Sequence, residues 1–405
     1  MPEAAAAVTR AFLVTMVAVT STGPLAMQLF VPGLPAIANE FEVSQGVANL
    51  ALSLSFLSIG VATLFYGPLA DRFGRRPVLL AGLGLFLVGT AISAFAPSAE
   101  ILIGGRILQA GGSAAGLVVS RALVRDIFGP ERAASVIAYL TLAMVVAPMM
   151  ALILGGFIVD FWGWRWTFAF SLAFGVVVIA AVLKTVPETN PGAVSQGPAA
   201  MLVNYGRLLR SPAFTGYALN AGLTAGTFFA FMAAAPVLMI QVMQRPAVEF
   251  GLYFSLVSVA YMGASFAAGR YSERIGIPRM VVGGAAFAVV SAVAGAVWLV
   301  VGGLNPLALF VTATLVALGN GISIPNAHAG AINTAPQLAG TASAGTAFLT
   351  MFSGFLFAQG VAEFADGTVV PVLVAMVGGS IGALVAGLVP VLVRARAVAA
   401  PAAGE

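Results

Sequence analysis

The chain contains no cysteine, so disulfides, thiolate metal sites and cysteine nucleophiles are excluded at once. It has one histidine, His328, and one lysine, Lys184. A metal centre needs more ligands than one imidazole supplies, so no metal or other cofactor is expected. Charge of either sign is scarce. Only 8% of the 405 residues are charged, against roughly 25% in an average soluble protein. So few charges do not cover a water-facing surface, and a soluble globular enzyme is excluded. A Ser-His hydrolase would have to rely on His328 with no supporting motif.

What is present is apolar: 60% of the residues are hydrophobic. They gather in runs at about 11–35, 46–68, 78–96, 100–120, 134–158 and 166–184. After a break, runs follow at about 214–241, 249–270, 279–302, 306–328, 341–364 and 369–393. A helix that crosses a bilayer takes about 20 apolar residues. The twelve runs therefore predict an all-α membrane protein with twelve spans. Continuous rather than alternating hydrophobicity argues against a β-barrel. Arg10 before the first run resembles the start of a signal peptide, but the run is long and eleven more follow, so it reads as the first span. The break holds Pro187, Glu188, Asn190, Pro191, Gly192 and Pro198. The expected organisation is an N-terminal six-helix bundle over 1–185, a cytoplasmic linker over 186–212 and a C-terminal six-helix bundle over 213–405.

The net charge of +4 comes from cations placed between the runs. With both termini inside, the inner side holds Arg10, Arg72, Arg75, Arg76, Arg121, Arg125, Arg132, Lys184, Arg207, Arg210, Arg270, Arg274, Arg279, Arg394 and Arg396. The outer side holds Arg165 and Arg245, and Arg106 lies inside a span. Positive charge marks cytoplasmic loops. The bias therefore sets an orientation with cytoplasmic termini, and it is not a nucleic-acid footprint. Anionic lipid headgroups are natural partners for these loops.

The chain also repeats itself. Gly67, Asp71, Arg72 and Gly74 follow the second run, and Gly269, Glu273, Arg274 and Gly276 follow the eighth, at an offset of 202. Parallel repeats of this kind belong to carriers that work by alternating access.

Intramembrane polar residues are costly and mark function. Arg106, Gln109 and Ser113 share one helical stripe. That stripe predicts a cavity-facing surface; the plainer alternative is that Arg106 snorkels outward toward Glu100. Thr20, Pro24 and Gln28 form a second stripe. Asn220, Thr224, Thr227 and Phe231 form a third, with Asn320 in the tenth run. Small polar residues of this kind also serve to glue helices together. None of the 14 acids falls at mid-span; Asp160, Glu249 and Glu363 lie nearest.

The stretch from Gly67 to Pro77, with Asp71, Arg72, Gly74, Arg75 and Arg76, resembles the loop signature of the major facilitator superfamily. Arg106 to Gly111 is similar to a second signature of its drug exporters. Ala147-Pro148 with Gly155-Gly156 is similar to the antiporter signature, with Leu152 where a second proline is usual. Pro24-Leu25, Val31-Pro32, Leu34-Pro35, Val124-Arg125-Asp126 and Ala339 to Ser343 extend the likeness to the bicyclomycin/chloramphenicol-resistance (Bcr/CflA) group of drug:proton antiporters. The resemblance implies a monomeric bacterial inner-membrane exporter of small amphipathic compounds. It implies gating by the Asp71 loop and a cavity lined by spans one, four, seven and ten. That cavity would contain Gln28, Arg106, Gln109, Asn220, Thr224, Phe231 and Asn320. The group usually carries an aspartate where this chain has Gln28. An amide does not titrate, so any proton coupling is expected to bypass the first span. Two other readings stay open: a carrier for one metabolite, without proton coupling, and a non-transporting sensor or scaffold. The small loops speak against the last.

Overall fold

The structure is a computed structural model. It describes the backbone of residues 2–189 and 198–399, and the side chains of 10–129, 140, 146–189 and 203–394. The side chains of Arg132 and Arg396, and linker residues 190–197 with Gly192, lie outside the described residues.

The spans are α1 (Pro2–Phe30), α2 (Gln45–Phe73), α3 (Arg75–Ala94), α4 (Ala99–Gly129), α5 (Val146–Trp162) and α6 (Arg165–Thr185). They continue as α7 (Pro212–Pro236), α8 (Ala247–Ile275), α9 (Ile277–Gly302), α10 (Pro306–Asn333), α11 (Ala339–Glu363) and α12 (Val370–Ala399). Among the described residues eleven helices are long and apolar enough to cross a membrane, and α5 is a shorter apolar helix. A separate helix, Pro198–Leu209, lies in the linker.

Local chemistry sets the helix ends. Ser44, Ser211 and Asn305 cap α2, α7 and α10 by accepting the N–H of Val47, Phe214 and Ala308. Each satisfies one of the donors that a helix start leaves open. Gly74 and Gly276 end α2 and α8 at φ +96° and +90°. Few residues with a Cβ adopt that conformation, which explains why the repeated loop keeps glycine at both places.

The chain divides into two compact units. Unit 1 comprises Met1–Gln196 and Met239–Ser255; unit 2 comprises Gly197–Leu238 and Leu256–Glu405. In unit 1, α3 and α4 pack through small residues: a Cβ on Gly89 would lie 2.2 Å from the Gln109 amide nitrogen, and one on Gly112 would lie 2.4 Å from that of Phe86. In unit 2, α9 and α10 meet the same way at Gly284 and Gly319. Gly82, on α3, and Gly284 are again 202 residues apart. Lipid gives helices no hydrophobic reason to associate, so backbone approach of this kind supplies the contact. Val19, Leu79, Leu83, Val119 and Leu123 belong to a core cluster of unit 1. Phe214, Ala218, Ala221, Val281 and Ala327 belong to one of unit 2.

Candidate functional site

Arg106 is the centre of unit 1. It is 2% exposed. Its Nε donates to the Ala51 carbonyl at 3.3 Å, and one terminal nitrogen donates to the Ala26 carbonyl at 3.5 Å and to Gln109 Oε1 at 2.5 Å. Gln109 passes the chain on, donating from Nε2 to Thr90 Oγ1 at 2.9 Å. The guanidinium carbon sits 4.4 Å from the Phe30 ring centre and 5.9 Å from that of Phe168. Four helices thus hold one cation through carbonyl dipoles, an amide and two aromatic faces. Aromatic quadrupoles attract cations most strongly where water is absent. Among the described residues no carboxylate pairs with it. The guanidinium does not reach outward to Glu100.

The polar stripe of α4 lines a hollow of about 10 Å³, bounded by Gly23, Ala26, Met27, Ile59, Phe86, Arg106, Gln109, Ala110 and Ser113. That is space for roughly one water. Gln28 is not on this wall. It is 8% exposed, and among the described residues its Oε1 has no hydrogen-bond partner. A buried acceptor left open costs free energy comparable to its desolvation, which marks it as a place where a donor is expected.

The third stripe lies in unit 2. Asn220 donates from Nδ2 to the Ala383 carbonyl at 2.7 Å, and its Oδ1 accepts from Ser323 at 2.9 Å. Its amide thus ties α7 to α12 and α10. Asn320 donates to the Thr224 carbonyl at 3.4 Å and to Thr227 Oγ1 at 3.2 Å. Its own Oδ1, and the hydroxyl of Thr224, have no hydrogen-bond partner among the described residues. Phe231 is buried and packs edge-on against Phe310 at 5.4 Å. His328 lies 3.4 Å from Thr350 Oγ1.

The loop motif forms a charge network in unit 1. Arg75 pairs with Asp71 and, at 3.2 Å, with Asp126 on α4. Asp126 also accepts from Thr189 at 2.9 Å. Glu188 accepts from the N–H of Arg75 at 2.9 Å and of Arg76 at 3.1 Å. A carboxylate thereby covers the positive end of α3. Arg76 also donates to the Leu183 carbonyl, and Arg72 lies over the Phe73 ring. The second copy of the motif has Ile277 where the first has Arg75. Among the described residues Glu273 makes no ion pair, so the network belongs to the first copy alone. Asp126, Glu188 and Thr189 are partners in this network that the motif itself does not name. In the sequence, Val124-Arg125-Asp126 and the run Pro187-Glu188-Thr189, directly after a span that ends on the same side, hinted at them.

In α5, Pro148 is half-buried, and Gly155 lies against α1: a Cβ there would come 2.4 Å from the Leu29 carbonyl oxygen. Gly156 faces the start of α8, with the Ala247 carbonyl oxygen at 2.5 Å from the equivalent point.

Residues 16–358 match the family described as Major Facilitator Superfamily. The chain belongs to this superfamily. It is 31% identical to the multidrug resistance protein D of Escherichia coli strain K12 over 337 residues, 82% of this chain and 83% of the relative. It is 32% identical to a chloramphenicol resistance protein of Pseudomonas aeruginosa, over 79% of this chain and 76% of that one. It is 28% identical to a bicyclomycin resistance protein homologue of Haemophilus influenzae, over 90% and 92%. These relatives bear out the Bcr/CflA resemblance of the motifs. The fold is shared with the peptide transporter POT, at TM-score 0.75 and 14% identity over 95% of this chain and 94% of that one. It is also shared with a bacterial homologue of the human lysosomal transporter Spinster, at TM-score 0.70 and 16% identity over 95% and 94%. The protein is thus a multi-pass membrane protein of a transporter superfamily.

Proposed function

We propose that this major facilitator exports small amphipathic compounds from the bacterial cytoplasm by alternating access of its two halves. The observation that carries the reading is Arg106, a cation buried among carbonyls, an amide and two aromatic rings. Such a group offers fixed positive potential and aromatic surface without a bound counter-anion, which suits neutral or anionic amphipaths. The relatives named for multidrug, chloramphenicol and bicyclomycin resistance support the same class of substrate. Gln28, Thr224 and Asn320 supply open acceptors for substrate donors. Asn220 and Phe231 shape the helices that present them. The Asp71–Arg75–Asp126 network, with Gly67, Gly74, Arg72 and Arg76 around it, gates the cytoplasmic side, and Pro148, Gly155 and Gly156 give α5 its close fit.

Both termini are cytoplasmic, and the working unit is the monomer. Proton coupling, if the carrier uses it, runs through a group outside α1, because Gln28 holds no exchangeable charge. The test is expression in a host lacking its own efflux pumps, with a panel that includes chloramphenicol and bicyclomycin. The reading predicts raised tolerance to several unrelated compounds. Tolerance to none, with the protein present in the membrane, contradicts it.

A further inference from the structure

The segment Met239–Ser255 belongs to unit 1, although most of α7 and α8 belongs to unit 2. It begins in a π-helical turn, Val237–Val242, reverses at Gln244 (φ +55°) and enters α8 at Ala247. Helical turns of this wide kind cluster at functional sites. Polar contacts of Gln241 and Asp160 hold the segment, among them a donation from Gln241 Nε2 to the Pro35 carbonyl at 3.5 Å. Gln241 accepts from Gln45 Nε2 at 3.1 Å. Asp160, at the end of α5, places one carboxylate oxygen 3.0 Å from the N–H of Ala247 and the other 2.8 Å from that of Val248.

The carboxylate therefore caps α8 from a different helix. It satisfies two of the four donors that the helix start leaves open, and its charge faces the positive end of the dipole. The backbones are made to meet there. Gly156 stands one turn before Asp160 on α5, and Gly251 one turn after Ala247 on α8. A Cβ on Gly156 would come 2.5 Å from the Ala247 carbonyl oxygen, and one on Gly251 would come 2.7 Å from that of Leu152. Each glycine thus seats the partner's backbone. The charged groups beside the contact are Arg245 and Glu249, 3.9 Å apart on the segment itself.

We propose that Asp160 is a positioning residue for transport: its carboxylate and the glycine seat below it form a latch on the N-terminus of α8 that closes and releases once per cycle. The proposal rests on the alternating-access reading. Unlike a cap within one helix, this one is carried by a side chain 87 residues away, so it can break while both helices stay intact. Neither the loop motif nor the α4 stripe takes part in it.

The absence of native cysteine makes the test direct. Val248→Cys is introduced, and the purified full-length chain is reconstituted in liposomes. Alkylation by a membrane-impermeant maleimide is followed together with uptake of radiolabelled chloramphenicol. Adding Asp160→Ala is expected to speed alkylation about fivefold, the size of a lost cap. It is expected to lower turnover while apparent affinity stays unchanged. Asp160→Glu, which keeps the charge on a longer arm, is expected to restore most of both. Sharp elution of each variant on size exclusion shows that folding is intact. Equal alkylation with and without Asp160 overturns the latch. Faster alkylation with unchanged turnover reduces it to a static cap and overturns it too. A parent protein that moves no chloramphenicol or any other panel compound overturns the export reading, and the latch with it, before any Asp160 variant is compared.

Discussion

Under the proposed function, Arg106 is a residue that trades stability for function. Taking a guanidinium out of water costs several kcal/mol, and dipoles and rings repay only part of it. Arg106→Met keeps the volume and removes the charge. The expected outcome is a melting temperature equal to or above that of the parent, with transport lost. A variant that melts lower yet still transports would contradict the assignment. Gln28 makes the opposite case, a neutral group where the family resemblance leads one to expect an acid. Gln28→Asp is expected to introduce a titration. Cationic compounds should bind more tightly at high pH, where the new carboxylate is ionised, and lose that gain as pH falls through its pKa. Binding to purified protein between about pH 5.5 and 8.5 reads it; unperturbed carboxylates titrate near pH 4, so a response in that window itself reports burial. Flat, identical curves would move Gln28 from substrate contact to packing. The α4 stripe was legible from spacing alone, because period 3.6 puts Arg106, Gln109 and Ser113 on one face. That Arg106 points inward was not legible, since a long side chain near a membrane edge is free to snorkel. Phe30 and Phe168 decide it, and they lie on two other helices.

Among the elements, α3 depends most on distant chain. Its first N–H groups belong to Arg75 and Arg76, yet the acceptor is Glu188, 113 residues on. Glu188→Ala is expected to cost about 1 kcal/mol, the scale of a lost cap, read by thermal unfolding of purified protein. Asp71→Asn is expected to leave membrane abundance unchanged while lowering turnover, because Asp126 still holds Arg75. Unchanged turnover in Asp71→Asn would reduce the loop to an orientation signal. The glycine, acid and arginine of this loop could be read from the repeat. Glu188 and Asp160 could not: both act by capping a helix start far away in sequence, and nothing in local spacing records that. The close pairing of α3 with α4 and of α9 with α10 is partly legible in the glycine rows. Which glycine meets which backbone is settled only by packing.

For the whole molecule, the arginine bias predicts an orientation that labelling can read. A single cysteine at Gly206, where a side chain meets open space, should react only with reagent that enters the cytoplasm. One at Ala365, in the exposed loop between α11 and α12, should react from outside. Reversed labelling would overturn the orientation and the gating assigned to each end. The apolar helices, eleven of them long enough to span among the described residues, and the repeat were legible because a bilayer imposes one length on every helix and one charge rule on every loop. The assignment of Met239–Ser255 to unit 1 was not, because it follows from tertiary contacts at Asp160 and Gln45 and not from hydropathy. The central claim is that this chain itself moves amphipathic compounds. The most direct measurement is counterflow of radiolabelled chloramphenicol in liposomes that contain only this protein. The account predicts accumulation above empty liposomes, suppressed by unrelated neutral or anionic amphipaths and absent in Arg106→Met. Uptake equal to that of empty liposomes across the compound panel, from protein that is folded and inserted, would contradict it.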